Sequence, residues 1–509
     1  MSGSTTQAGT TPAIPEFNQT LGHPRPLWML FMSEFWERFA FYGIRWAMTL
    51  YIVAQFYGGD GSGQKPASEL YGAYLALVYA GAIFGGYVAD KVIGYQRSIL
   101  IGAVIMALGL FLLSMPDQQI FKLGLATIIV GNGLFKPIIS TLVGKLYMQG
   151  DERRDSGFTI FYMGINLGAF IAPLITQYLA KKVFGTDMPA YKVVFITSGV
   201  GMILSFVWFW FGRAQLKGIG LPAPDQTSLS RVAMVLAGAA VAVPVFYFLL
   251  TIDAKVLQGI LMALLVTPAI MLVAEGVREG DVARDKVFAM LIILAFNVFF
   301  WCFFEQAGSS FNFLAEQLVN RHIGMEGTLT ALSGEPNFPV SWFQSVNSVA
   351  IIVLAPIIAW IWVRMGSANP SIPRKFSLGL IFNGLAFVLL AFALKSLLGD
   401  DGKIPFWTLF AVYWIQSVGE LCLSPIGLSM ITKLAPPRLA GLAMGAWFLS
   451  IAIGNNLAGI FAGEASGEGG MTVASAQAAY TTGFYILGGA GIVLFLISGL
   501  VNKLMHGVK

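Results

Sequence analysis

Apolar stretches of about 20 residues alternate with short polar connections along the chain, the spacing of helices that cross a lipid bilayer. They fall near residues 27–56, 70–90, 97–115, 120–147, 157–181 and 191–212, then 231–251 and 255–275. The last group falls near 287–319, 341–364, 376–398, 405–433, 440–463 and 476–502. A transmembrane β-barrel needs short segments of alternating polarity, whereas runs such as VAMVLAGAAVAVPVFYFLL are continuously apolar. The pattern predicts an all-α polytopic membrane protein of fourteen spans, arranged six, two and six. Residues 1–26 are polar and rich in Ser, Thr, Gly and Pro, which predicts a disordered tail. They lack the basic start and short apolar core of a cleavable signal, so the first helix is expected to direct its own insertion.

The first and last six segments echo each other in order. Trp36-x-x-Phe39 before Gly43 matches Trp301-x-x-Phe304 before Gly308. GNGLFKP at 131–137 has the Gly-to-Pro spacing of GELCLSP at 419–425, and FYMGINLG at 161–168 parallels WFLSIAIG at 447–454. Three matches in one order favour a duplicated six-helix unit. Two such halves around a midplane cavity are how major facilitator transporters are built. The loop GGYVADKVIGYQRS at 85–98 resembles the conserved loop of that superfamily, with Asp90 available to cap or to pair between the halves. The expected organisation is a cytoplasmic tail over 1–26, a bundle over 27–215, an inserted helical hairpin with linkers over 216–283, and a second bundle over 284–509.

Composition agrees: 56% of the 509 residues are hydrophobic and 11% charged, against about 25% charged in soluble domains. The formal charge of +5 reads as topology, since no basic stripe with interleaved aromatics suggests nucleic acid. About 19 Lys and Arg fall in the tails and loops on the N-terminal side and about 9 on the other, which places both termini in the cytoplasm. Cys302 and Cys422 lie in apolar runs and read as small buried hydrophobes.

Few charges cannot reach an interface: Glu34, Glu37, Arg38 and Arg45 in the first span, then Lys136, Glu305 and Glu420. Intramembrane charges are costly and normally face a cavity or a partner. At about 100° per residue the four in the first span share an arc of about 100°, with Tyr42 beside it. Glu34 can reach Arg38 one turn on, and Arg45 needs a partner elsewhere, for which Glu305 is the candidate. Lys136 and Glu420 occupy equivalent segments of the two halves and could meet across the cavity. One buried pair could be mere helix glue. Seven charges on four helices, among Tyr42, Tyr79, Tyr162, Asn166, Asn347 and Trp447, point instead to a binding cavity. Four acids against three fixed positive charges leave one carboxyl free to hold a proton. A cationic side at Arg38 and Lys136 facing Glu420 suits a zwitterion such as an amino acid or short peptide. No span contains a histidine or an aspartate pair, so no enzyme, metal site or cofactor is expected, protons being the coupling ion.

EFWERFAFYG at 34–43 resembles the ExxERFxYYG motif of the proton-coupled oligopeptide transporter (POT) family. FYMGINLGA and GELCLSPIGLS are similar to its second and helix-10 signatures, so the resemblance spans essentially the whole chain. It implies a symporter of di- and tripeptides in a bacterial cytoplasmic membrane, working as a monomer among lipids. A same-fold carrier of another anion such as nitrate, or a non-transporting peptide sensor, is the alternative. The resemblance further implies that Arg38 and Lys136 hold the peptide carboxylate, and Asn166, Asn347 and Glu420 its amino end. Tyr42, Tyr79, Tyr162, Ser424 and Trp447 would line the pocket. Glu37 would take the proton, with Glu34 and Arg38 as its network, and Arg45–Glu305 and Lys136–Glu420 would be pairs that form and break between the halves. Phe41 departs from the motif, which has Tyr there.

Overall fold

The computed structural model describes residues 14–148, 150–186 and 188–508. Among the described residues, fourteen helices are long enough to span a membrane. Thirteen are apolar enough by hydropathy alone; the fourteenth is α1, Arg25–Phe56, which carries the four charges of the first segment. Its start is set by Pro26, whose missing N–H costs nothing in a first turn. Five more helices complete the first group: α2 Gln64–Val88, α3 Tyr95–Leu113, α4 Gln118–Lys145, α5 Arg153–Gln177 and α6 Tyr191–Gly212. α1 packs on α5 and α6, α4 on α2 and α3, and α3 on α6.

Next come α7, Leu229–Thr251, and α8, Ala254–Glu279. This pair lies on the outside of the molecule, one helix against each group: α7 lies on α4, while α8 lies on α15 and α9, defined below. Asn456 of α15 donates to the Ala254 carbonyl at 2.8 Å and to Gln258 Oε1 at 2.9 Å, fixing α8 by polar contacts.

The last group is α9 Asp281–Phe304, α10 Ser310–Gln317, α11 Glu326–Ser333, α12 Trp342–Arg364, α13 Ile372–Ser396, α14 Phe406–Leu434, α15 Ala440–Ser466 and α16 Val473–Leu504. The apolar run 287–319 reads as one span, but the helix breaks after Phe304 and resumes at Ser310. Gln306 stitches the break. Its Nε2 donates to the Cys302 and Ala458 carbonyls at 3.0 and 3.2 Å, and its Oε1 accepts from Ser310 at 2.7 Å. Non-helical backbone at this depth is tolerable because protein surrounds it.

The two groups meet along α2 with α15 and α5 with α12. A side chain at Gly72 would come within 2.6 Å of the Gly459 Cα, so only glycine allows this crossing. Cross-group bonds cluster at the end carrying the α1–α2 loop. Thr49 donates to the Gly308 carbonyl at 2.9 Å, Asn312 to the Trp46 carbonyl at 2.9 Å, and Gln177 to Glu335 at 2.9 Å. Lys65 pairs there with Glu468 at 2.8 Å, so the two groups are drawn together at that end, called below the sealed end.

Of the tail expected to be disordered, residues 1–13 lie outside the described residues. The remainder is ordered: β1, Gln19–Thr20, pairs antiparallel with β2, His23–Pro24. Polar anchors explain the difference. His23 Nδ1 is 2.8 Å from the Tyr147 hydroxyl, and Arg153 reaches the Gly22 carbonyl at 3.3 Å. In the 85–98 loop, Asp90 accepts from Tyr95 of its own segment.

Candidate functional site

The charges of α1 are nearly shut off from solvent: Glu34 is 2% exposed, Glu37 0%, Arg38 3% and Arg45 8%. Arg38 Nε lies 3.4 Å from Glu34 Oε1, the one-turn pair expected from spacing. Its main partner is its chain neighbour Glu37, gripped by both Nε and Nη2. Adjacent helical residues point about 100° apart and do not normally face each other, so sequence spacing concealed this fork. The guanidinium curls back on its flexible stem, and a planar fork matches a carboxylate in both hydrogen bonds. Asn132 of α4 donates to Glu37 Oε1 at 3.4 Å. At the non-motif position, the Phe41 ring lies 4.9 Å from Arg38 Cζ, offering its face where the family motif offers a hydroxyl.

Almost two turns further on, Arg45 Nη2 reaches Glu305 at 2.5 Å, joining the two groups of helices. Glu305 is the residue immediately after α9, so the helix break aims its carboxylate at α1. Arg45 also donates from Nε to the Tyr71 hydroxyl at 3.0 Å, and its Cζ stands 5.5 Å from the Tyr42 ring. Sequence reasoning missed Tyr71; its only signal is a position about two turns before Tyr79 on the same helix.

The expected Lys136–Glu420 contact is absent from the ion pairs of the described residues. Lys136 Nζ stands 4.8 Å from the Tyr79 ring centre, with Arg38, Glu34, Glu37 and Glu305 as its electrostatic neighbours. Glu420 is held within its own group: Asn347 Nδ2 donates to it at 3.1 Å and to Ser417 at 2.9 Å. The two charges belong to different groups, and the bonds that draw the groups together cluster at the sealed end.

The other candidates separate into open and packed. Tyr162 is 39% exposed, and its carbonyl accepts from Asn166, one turn on, at 3.0 Å. The Ser424 hydroxyl is buried without a hydrogen-bond partner among the described residues. Trp447 is only 3% exposed and its ring fills the space where Gly427 lacks a side chain, so it reads first as packing.

Two groups of six spanning helices each, drawn together at one end, and a buried cluster of opposed charges between them define a secondary transporter of the major facilitator type. The POT family model matches residues 96–467, and the chain belongs to that family. It is 34% identical to the "Uncharacterized transporter YclF" of Bacillus subtilis (strain 168), over 96% of each chain. With the "Dipeptide and tripeptide permease B" of Photorhabdus luminescens it shares 32% identity over 96% of this chain and 98% of that one. Among solved structures, a peptide transporter POT in complex with sulfate superposes with a TM-score of 0.80 at 31% identity, covering 96% and 97% of the two chains.

Proposed function

We propose that this chain is a proton-coupled symporter that imports di- and tripeptides across a bacterial cytoplasmic membrane by alternating access. One observation carries the reading: the Arg38 guanidinium that would receive a peptide carboxylate is already occupied by Glu37, with Glu34 beside it. A peptide carboxylate arriving at Arg38 and Lys136 competes with Glu37 for that cation. A carboxylate deprived of its cation is the one that takes up a proton, so binding and protonation favour each other. Glu420, steadied by Asn347, faces the peptide ammonium together with Asn166. Tyr42, Tyr79, Tyr162 and Ser424 complete the walls, and Trp447 buttresses them from behind.

The excess of basic residues on the N-terminal side supports cytoplasmic termini. The sealed end then faces outward, and this conformation is the one that exchanges peptide with the cytoplasm. Arg45–Glu305 is its closing pair, while Lys136–Glu420 belongs to the opposite state. Purified protein in liposomes should accumulate labelled dialanine when the outside is acid, with excess unlabelled dialanine but not nitrate competing. Dialanine binding without accumulation under an inward proton gradient would overturn the proposal and indicate a sensor.

A further inference from the structure

Glu37 has no exposed surface, so a proton can reach it in this conformation only through intervening groups. Around the Glu37–Arg38 fork, three buried polar atoms on three helices lack any hydrogen-bond partner among the described residues: Glu34 Oε2 on α1, the Tyr74 hydroxyl on α2 and Asn132 Oδ1 on α4. Tyr74 is 1% exposed and Asn132 1%. A buried polar atom left unbonded is expensive, and native proteins rarely tolerate one. Three such atoms on helices that pack against one another are the setting in which proteins hold ordered water, which needs two to four polar partners.

The geometry gives the cluster a direction. Asn132 faces Glu37 with its amide nitrogen, 3.4 Å away, which leaves its oxygen for another donor. The Tyr74 hydroxyl has Glu37, Arg38 and Tyr71 as its electrostatic neighbours. Tyr71, one turn earlier on α2, accepts from Arg45, which holds Glu305. On α2, Tyr71 thus bonds the pair that joins the two groups, and Tyr74 lies one turn further along the same helix. The titratable and charged groups near Glu37 are Glu34 and Arg38 from α1, Tyr74 from α2 and Lys136 from α4. α5 and α6 meet this part of α1 through Gly168 and Ser205.

We propose that Tyr74 and Asn132 are positioning residues for the coupling proton, holding water with Glu34 Oε2 against Glu37. The inference rests on the symport reading above. The proton passes from this water to a carboxylate oxygen of Glu37 and is replaced from the next water. Arg38 keeps its charge throughout, and no other bond is made or broken.

Tyr74→Phe removes only a hydroxyl that has no hydrogen-bond partner among the described residues. If the site is hydrated and conducts protons, this variant and Asn132→Leu should lower gradient-driven dialanine uptake in liposomes about tenfold, a fraction of what a positioned proton-transfer group contributes. They should also narrow the range of external pH that drives uptake. Exchange of dialanine without a gradient should stay close to that of the unmodified protein. Asn132→Ser, which keeps a group able to bind water, should recover part of the drive. Unchanged driven uptake and pH profile in Tyr74→Phe would overturn the proposal. So would an equal loss of driven uptake and exchange, which marks a structural role, or a raised melting temperature in Tyr74→Phe, which marks a dry hydroxyl. An unmodified protein that accumulates no dialanine overturns the symport reading itself, a result separable from these.

Discussion

Replacing Glu305 by glutamine should loosen the sealed end of the transporter. The Arg45 and Glu305 side chains are 9% and 11% exposed and meet at 2.5 Å. Charges about 4 Å apart at an effective dielectric of about 20 attract by about 4 kcal/mol, and stripping one partner from a buried pair typically costs about 3–5 kcal/mol. Arg45 keeps its bond to Tyr71, so a loss of about 2–3 kcal/mol is the reasoned value for Glu305→Gln, below the full cost of an orphaned charge. Because the pair joins the two groups of helices, that loss falls on the sealed state and should shift its equilibrium with the opposite state by about 30- to 150-fold. Spin labels at Ser62 and Gly469, on facing loops of the sealed end, should report a short distance in the unmodified protein and a longer one in the variant. Cys302 and Cys422 are buried, which favours selective labelling. Arg45→Gln with Glu305→Gln should recover part of the short distance, since removing both charges leaves neither orphaned. An unchanged distance distribution in Glu305→Gln, with unchanged uptake, would refute the assignment of this pair as the closing element.

Glu37→Gln should abolish uphill uptake while leaving peptide exchange measurable in liposomes, because the amide can still accept from Arg38 but cannot load a proton. Gly72→Val should block sealing, since its Cβ would come within 2.6 Å of the Gly459 Cα; substrate exchange should fall at least about tenfold, the equivalent of about 1.4 kcal/mol against the sealed state. Outside the spans, bonds from Arg153 hold the Asp151 carboxyl down at about 2. Its folded value lies below the unfolded one of about 3.9, so its stabilisation is complete above that value and is lost as pH falls toward 2. Hydrogen exchange of residues 14–24, which Arg153 anchors, should therefore stay flat between pH 5 and 8 once corrected for intrinsic rate, and should quicken there in Arg153→Ala.

The fourteen spans were legible because bilayer thickness imposes a length on apolar runs, and α1 was legible through its charges despite failing a hydropathy threshold. Charge balance also led from Arg45 to Glu305, since a buried guanidinium with no local acid must find a distant one. What stayed hidden shares one cause: it depends on where the backbone stops being regular or on which conformation the chain adopts. The break after Phe304 was foreshadowed only by Gly308-Ser309-Ser310 inside an otherwise apolar run. The Glu37–Arg38 fork violates helical spacing because a long side chain can fold back on its neighbour. Lys136 and Glu420 were expected to pair, and no ion pair joins them among the described residues; a contact between moving bodies would belong to one state of a cycle, whereas the sequence serves all of them. Which body each inserted helix follows was hidden too: their exposed surfaces are largely apolar, and it takes the bonds from Asn456 to Ala254 and Gln258 to tie α8 to α15. In a transporter, candidates for binding can be read from charge and spacing, but candidates for switching are recognised by having two partners and holding one. Arg38, between Glu37 and a peptide carboxylate, is the clearest candidate for both roles.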